Sequence, residues 1–210
     1  KREEIWEQQD PTHLGATGKQ TVQELIGSTT RRESSSLLAD VSKWLKHLEL
    51  ADAIEVRPVP SSLRYQIEVI NGGSRSNLID VGYGVSQVLP VIVLLHFVPE
   101  GSVILCEDPE AHLHPMAQAG LADMFVELQK KRRLQILLET HSEHLFRRLQ
   151  YLIADGAIAK EDCALYYVER DEPSAKITTL EADEFGRLKN WPEHLFGDAL
   201  GETGRQMRRM

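Results

Sequence analysis

Apolar positions along this chain change period several times, and each change marks an element. In 34–50, Leu37, Leu38, Val41, Trp44, Leu45 and Leu48 recur at spacings of three and four, which predicts an amphipathic helix with a core-facing stripe and a cap from the serines at 34–36. Stretches 54–59 and 63–70 predict an antiparallel hairpin through Pro60-Ser61-Ser62, and Asn71-Gly72-Gly73-Ser74 a following turn. The run 85–97 is nearly all apolar and predicts a buried helix; Pro90 removes one of its backbone bonds and either kinks it or delays its start.

The run 103–106 is short and apolar and ends in Glu107-Asp108-Pro109-Glu110, the pattern of a buried parallel strand delivering carboxylates to its C-terminal end. Pro115 then suits a first helical position, with Leu121, Phe125 and Leu128 on the inner face. A second apolar run, 134–138, ends in Glu139-Thr140-His141. Strand, helix, strand with parallel pairing predicts an α/β core, preceded by the helix and hairpin, with carboxylates and a histidine at one sheet edge. Ligands bind at that edge in open α/β sheets. Beyond it, 144–153 predicts a helix with Leu145, Leu149, Leu152 and Ile153 inward, and 164–168 and 176–180 two strands joined by a polar turn at 171–174.

Composition narrows the class. At 41% hydrophobic and 27% charged residues, this is an ordinary globular composition, and a net charge of −8 argues against a surface that grips nucleic acid over its whole extent. Basic clusters at 130–133 and 205–209 read first as solvated helix ends and leave room for a local basic patch. Cys106 and Cys163 both fall in strand-like runs, which fits a reduced, cytoplasmic protein. The longest apolar run, 88–98, is interrupted by Pro90 and His96 and is too short to span a bilayer. The first thirty residues are polar and rich in turn formers, and they open on Lys1-Arg2-Glu3-Glu4, as in a chain cut from something longer or processed.

Four groups of residues carry chemistry. Gly82 and Gly84 permit positive φ and close backbone approach just before the helix over 85–97, whose N-terminus would offer free N–H groups to a phosphate, with Ser86 and Gln87 adding side-chain bonds. Glu107 and Asp108 place two carboxylates at the C-terminal end of the run over 103–106. Those acids could instead serve only as electrostatic caps for the Pro115 helix. His141 follows the second strand, and Glu107, Asp108, Glu110, His112, His114, His141 and His144 together leave a transition-metal site open as an alternative. Gly15-Ala16-Thr17-Gly18-Lys19-Gln20-Thr21 is not read as a phosphate loop: His13 stands where the first glycine belongs, Gln20 where Ser or Thr should meet magnesium, and no buried strand feeds it.

Three of these pieces, in order, resemble a known family. Asp80-Val81-Gly82-Tyr83-Gly84-Val85-Ser86-Gln87 is similar to the divergent signature loop of ABC-type ATPases, ILCEDPEAHLHP to their Walker B segment and D-loop, and ETHSEH to their switch-histidine segment. The branch is that of bacterial AAA-family ATPases related to the SMC and OLD proteins. The end of the chain, with Asn190-Trp191-Pro192 and Phe196-Gly197-Asp198, resembles a short tail of uncharacterised function found in one group of them.

The resemblance implies an ATPase head with ATP and Mg2+ as ligands. Glu107 takes the magnesium position through water, and Asp108 and His141 the catalytic and switch positions. Gly82, Gly84, Ser86 and Gln87 then meet the nucleotide of an opposing head, while Glu110, His112 and His114 form the D-loop. The family order of the two acids is Asp then Glu, and here it is reversed. The same resemblance implies the C-terminal part of a head with its phosphate loop elsewhere: a lead-in over 1–33, helix and hairpin over 34–76, ATPase core over 77–158, and strands and tail over 159–210. Implied partners are a second head in a homodimer or paired arrangement and a nuclease or nucleic-acid partner, as in phage defence, with no membrane. A non-catalytic scaffold or regulatory module that keeps the fold is the alternative.

Overall fold

The computed structural model describes residues 6–7, 14–15, 18–29, 31, 36–192 and 195–196. It divides into two compact units, residues 1–140 and 141–210.

In the first unit, helix α1 (Thr21–Ser28) precedes helix α2 (Leu37–His47). α2 buries Leu37, Val41, Trp44 and Leu45. Ser36 takes the N-cap position without a side-chain cap bond, so the serine cap is not made there; positions 34 and 35 lie outside the described residues. The helix ends with Glu49 at φ 56°, the Glu49 and Leu50 amides donating to Lys46 O (3.0 Å) and Leu45 O (2.9 Å). That is a Schellman ending with glutamate in the place glycine usually fills.

The antiparallel hairpin forms as β2 (Ala53–Pro58) and β3 (Arg64–Asn71), in register from Ala53 opposite Ile70 to Pro58 opposite Tyr65. Ile54, Ile67 and Val69 are buried, and the Ile54 amide donates to Ser42 Oγ (3.1 Å), pinning β2 to α2. A short β1 (Trp6–Glu7) pairs with β3 as well. Beyond the periodicity reading, Gly72 and Gly73, both at positive φ, turn the chain back so that β4 (Ser74–Asn77) pairs with β3.

Helix α3 (Tyr83–Phe97) buries Val85, Val88, Leu89, Ile92, Val93 and Leu95 and runs through Pro90. Its start is therefore not delayed by the proline; it lies two residues before the expected one. Strand β5 (Val103–Glu107), helix α4 (Pro115–Arg132) and strand β6 (Gln135–Glu139) form the expected strand–helix–strand unit, β5 and β6 pairing in parallel from Val103 opposite Gln135 to Glu107 opposite Glu139. Burial differs from expectation. Ile104 and Cys106 face the core, whereas Val103 is 57%, Leu105 72% and Leu137 50% exposed, so one face of this parallel pair is open. Arg132, within the basic cluster, is structural: its guanidinium donates to Leu95 O and to Val98 O (2.6 Å), satisfying carbonyls at the end of α3.

In the second unit, helix α5 (Glu143–Ala154) leads through a 3-10 turn (Lys160–Asp162) to the hairpin β7 (Leu165–Asp171) and β8 (Ser174–Leu180). Cys163 lies between the 3-10 turn and β7 rather than within a strand, and burial pushes its thiol up to about 11. No helix among the described residues is long and apolar enough to cross a membrane.

Candidate functional site

At the C-terminal end of β5 the chain turns sharply. Asp108 sits at φ 45° and His112 at φ 65°, left-handed conformations that cost a non-glycine residue about 1–2 kcal/mol each and are best tolerated by Asp and Asn. The loop is held from several sides. The Asp108 amide donates to Glu139 O (3.1 Å), the Ala111 amide to Asp108 O (3.0 Å) and the Leu113 amide to Glu110 O (3.0 Å). Pro109, Glu110 and Leu113 are buried, and Thr140 Oγ1 donates to Glu110 Oε1. Glu107, Asp108 and His112 are left exposed on the outer side. His114 takes the N-cap of α4, its Nδ1 accepting from the Met116 amide (3.4 Å), with Pro115 as the first helical residue.

The start of α3 meets this loop. A Cβ on Gly84 would lie 3.3 Å from Leu113 Cδ2 and 3.7 Å from His112 O, and the Tyr83 and His112 rings stand 6.0 Å apart. Neither Gly82 nor Gly84 adopts the expected positive φ: Gly82 is the N-cap at φ −57° and ψ 157°, and Gly84 is helical. Gly84 is explained by close approach. Nothing lies within 4 Å of a Cβ on Gly82, and as a glycine this N-cap residue makes no side-chain cap bond. Gly82, Gly84 and Val85, at the start of this 15-residue helix, line a cleft of about 380 Å³ together with Asn71, Ser76 and Asp80. Ser86 is half-buried and Gln87 exposed in the next part of the helix.

Within the first unit the structure therefore sets Gly84 against His112 and Leu113 of the loop that also carries Asp108 and Glu110; Gly82 lines the neighbouring cleft, and Glu107 and His114 stand at the two ends of the loop. Tyr83 and Thr140 join them and were not singled out for these contacts; an exposed aromatic between two glycines was the one available signal for Tyr83. His141 opens the second unit, one residue before Ser142, whose Oγ accepts from the Leu145 amide (3.0 Å) as the N-cap of α5. His144 is inside that helix and His141 outside it, so they do not share a helix turn. Among the described residues no group of three or more His, Cys, Asp or Glu is placed to hold a metal ion.

The glycine-rich stretch near the N-terminus has a packing role. Gly18, at φ 64°, approaches α3 so closely that a Cβ on it would lie 2.5 Å from Pro90 Cβ, and Gly18 O accepts from Thr21 Oγ1 (2.7 Å). Position 16, 17 and the residues at 11–13 lie outside the described residues.

Comparison with solved structures places the fold. The chain matches an SMC ATPase described under ATP-driven dimerization and DNA-stimulated activation, with 14% identity and a TM-score of 0.52 over 87% of this chain and 97% of that one. It matches an Smc head bound to the C-winged helix domain of ScpA at 13% identity and a TM-score of 0.55, over 77% of this chain and 50% of that one. A Pyrococcus furiosus Smc head with an extended coiled coil, bound to the C-terminal domain of ScpA, matches at 12% identity and a TM-score of 0.53, over 91% of this chain and 44% of that one. The chain thus spans half or less of the latter two. The architecture is that of an SMC-type ATPase head, a mixed α/β fold with a parallel pair and antiparallel hairpins. Comparison with curated proteins returned no match. Residues 158–206 match the family described as "Protein of unknown function (DUF3696)". Residues 8–147 match the family described as "AAA domain, putative AbiEii toxin, Type IV TA system", and the chain belongs to this AAA domain family.

Proposed function

We propose that this chain contributes to ATP-hydrolysing sites formed between two heads, its carboxylates to one site and its signature helix to the nucleotide of the opposing head. The observation that carries the reading is the packing of the glycine-started α3 N-terminus, at Gly84, against His112 and Leu113 of the strained loop that carries Asp108. A helix end with free N–H groups receives a phosphate. The exposed Glu107 and Asp108 are hard oxygen donors of the kind that hold Mg2+ through water, and the cation would neutralise charge on the phosphates. Asp108 orients the attacking water and accepts its proton. The water oxygen bonds to the γ-phosphorus as the β–γ bridging oxygen leaves with ADP. His141 contacts the γ-phosphate, and Glu110, His112 and His114 shape the D-loop.

The open face at Val103, Leu105 and Leu137 supports a further part of the head packing there and bringing the phosphate loop, since parallel pairs are stable when both faces are covered. Two such heads closing on ATP would gate a partner, for which a nucleic-acid-processing protein, as in phage defence, is our candidate, in the cytoplasm. Asp80 beside the α3 N-terminus is the observation that favours the non-catalytic scaffold reading, because its carboxylate opposes an incoming anion.

The test is magnesium-dependent ATP hydrolysis by the full-length protein and its Asp108→Asn variant. Asparagine tolerates the left-handed backbone, so the loop keeps its shape and only the charge goes. Turnover should fall by about 10²-fold or more with ATP binding retained. Equal turnover in the two proteins sinks the ATPase reading.

A further inference from the structure

In the second unit, the segment after β8 folds back onto α5. Ala182 bridges Leu188, and Asn190 closes the fold, its Oδ1 accepting from the Glu181 amide (2.8 Å) and its Nδ2 donating to Thr179 O (2.7 Å). Asp183 organises the tip by accepting from the Phe185 and Arg187 amides (2.9 Å each) and from Arg187 Nε (3.0 Å).

This folded tail grips α5 at two places. At Gln150, the side-chain Nε2 donates to Gly186 O (2.6 Å), and a Cβ on Gly186 would lie 2.1 Å from Gln150 O, so only glycine seats there. In the first part of the helix, Phe146 meets Trp191 at 6.2 Å and Phe196 at 5.3 Å between ring centroids, and the Arg147 guanidinium stands 4.5 Å over the Trp191 ring. Aromatic pairs and a cation over a ring are directional contacts, so they fix orientation as well as position. Trp191 remains 41% exposed, which leaves it partly docked rather than sealed in a core.

What the tail holds is the helix that begins at the switch segment. Ser142 is buried and bonded to the Leu145 amide, so the backbone at His141 moves with the first turn of α5. We infer that the tail, through Trp191, Phe196 and Gly186, is a positioning element for His141, fixing the helix start from which that histidine would act on ATP. The inference rests on the ATPase reading above for what His141 touches, but the mechanical link stands on the contacts alone. Trp191 is a positioning residue because it acts through α5.

The experiment compares full-length wild type with Trp191→Ala, Trp191→Phe and Arg147→Gln. Amide hydrogen exchange is the first readout: Trp191→Ala should strip protection from the Leu145 and Phe146 amides, and Trp191→Phe should restore it. Steady-state kinetics is the second. Trp191→Ala should lower kcat on the order of 10-fold with KM for ATP little changed, Arg147→Gln should act in the same direction, and Trp191→Phe should stay near wild type. A merely structural tail would lower the amount of active protein and would not split kcat from KM with aromatic rescue. Unchanged exchange at 145–146, or kcat equal to wild type in Trp191→Ala, overturns the inference. A wild type that hydrolyses no ATP overturns the ATPase reading instead, and the exchange result then decides the positioning link by itself.

Discussion

Thr140 Oγ1 donates to Glu110 Oε1, joining the residue that follows β6 to the buried acid of the loop that follows β5. The bond crosses the two parallel strands at their carboxyl ends, where Asp108 is also tied to Glu139 O. Removing the donor leaves a buried carboxylate oxygen short of one partner. Thr140→Val should therefore cost about 1–3 kcal/mol in urea denaturation, while Thr140→Ser recovers most of it. Because the same bond holds the loop that carries Asp108, Thr140→Val should also slow ATP turnover in the protein that remains folded. Wild-type stability in Thr140→Val would show that the bond does not hold the loop.

Gly18 makes a contrast with the phosphate-loop appearance of its neighbourhood. Its positive φ and its contact with Pro90 each penalise a side chain. Gly18→Ala should destabilise by about 2 kcal/mol or more, from the left-handed backbone and from overpacking against α3. ATP affinity of the folded protein should not change. Loss of ATP affinity at full stability would return this glycine to a phosphate-binding role.

The elements that were legible in the sequence are those whose burial follows a local period. α2 showed Val41, Trp44, Leu45 and Leu48 at helical spacing, and β5 and β6 showed short apolar runs ending in acids. β4 was not legible, because Ser74-Arg75-Ser76-Asn77 has no apolar face; it pairs only because Gly72 and Gly73 return the chain to β3. α1 has only Leu25 and Ile26 as large buried apolar residues, too few to show a period in a polar stretch. At the site, the acids and glycines were visible as residue types in order. The reasons for them were not: Gly84 against Leu113, Gly18 against Pro90 and Glu110 against Thr140 are contacts between residues about 30 or more apart in sequence. The open face at Leu105 and Leu137 was equally hidden, since an apolar run reads the same whether one face or both are covered.

His96 supplies a pH dependence with a definite sign. Its Nδ1 donates to Ile92 O (2.8 Å) within α3, and burial, the largest influence, holds its pKa below the ordinary value against the opposing pull of that hydrogen bond and of Asp40, with Arg132 and Lys131 acting in the same direction as burial. The unfolded chain therefore takes up the proton at higher pH than the folded one. Stability from the neutral ring is complete above the ordinary histidine pKa of about 6.5 and is lost as pH falls through the lowered folded value. Between about pH 7 and pH 5, the melting temperature of wild type should fall more steeply than that of His96→Gln. Parallel curves would mean that this histidine titrates alike in both states.

Gly82 offers the sharpest separation of fold from function, because its two effects have opposite signs. The position has N-cap geometry that any residue can adopt, and a Cβ there meets nothing within 4 Å. An aspartate at this position can accept from N–H groups in the first turn of α3 and interact with the positive end of the helix, so Gly82→Asp should raise stability by roughly 0.5 kcal/mol. The same carboxylate occupies the place where a phosphate would bind, in a cleft that already holds Asp80. ATP turnover and ATP-dependent association of heads should then fall by about 10-fold or more, since the anion loses both its donors and its favourable field. A variant that is more stable and less active supports the α3 N-terminus as the phosphate-facing element. One that is more stable and equally active removes that role from it and leaves the glycine-started helix as a structural feature.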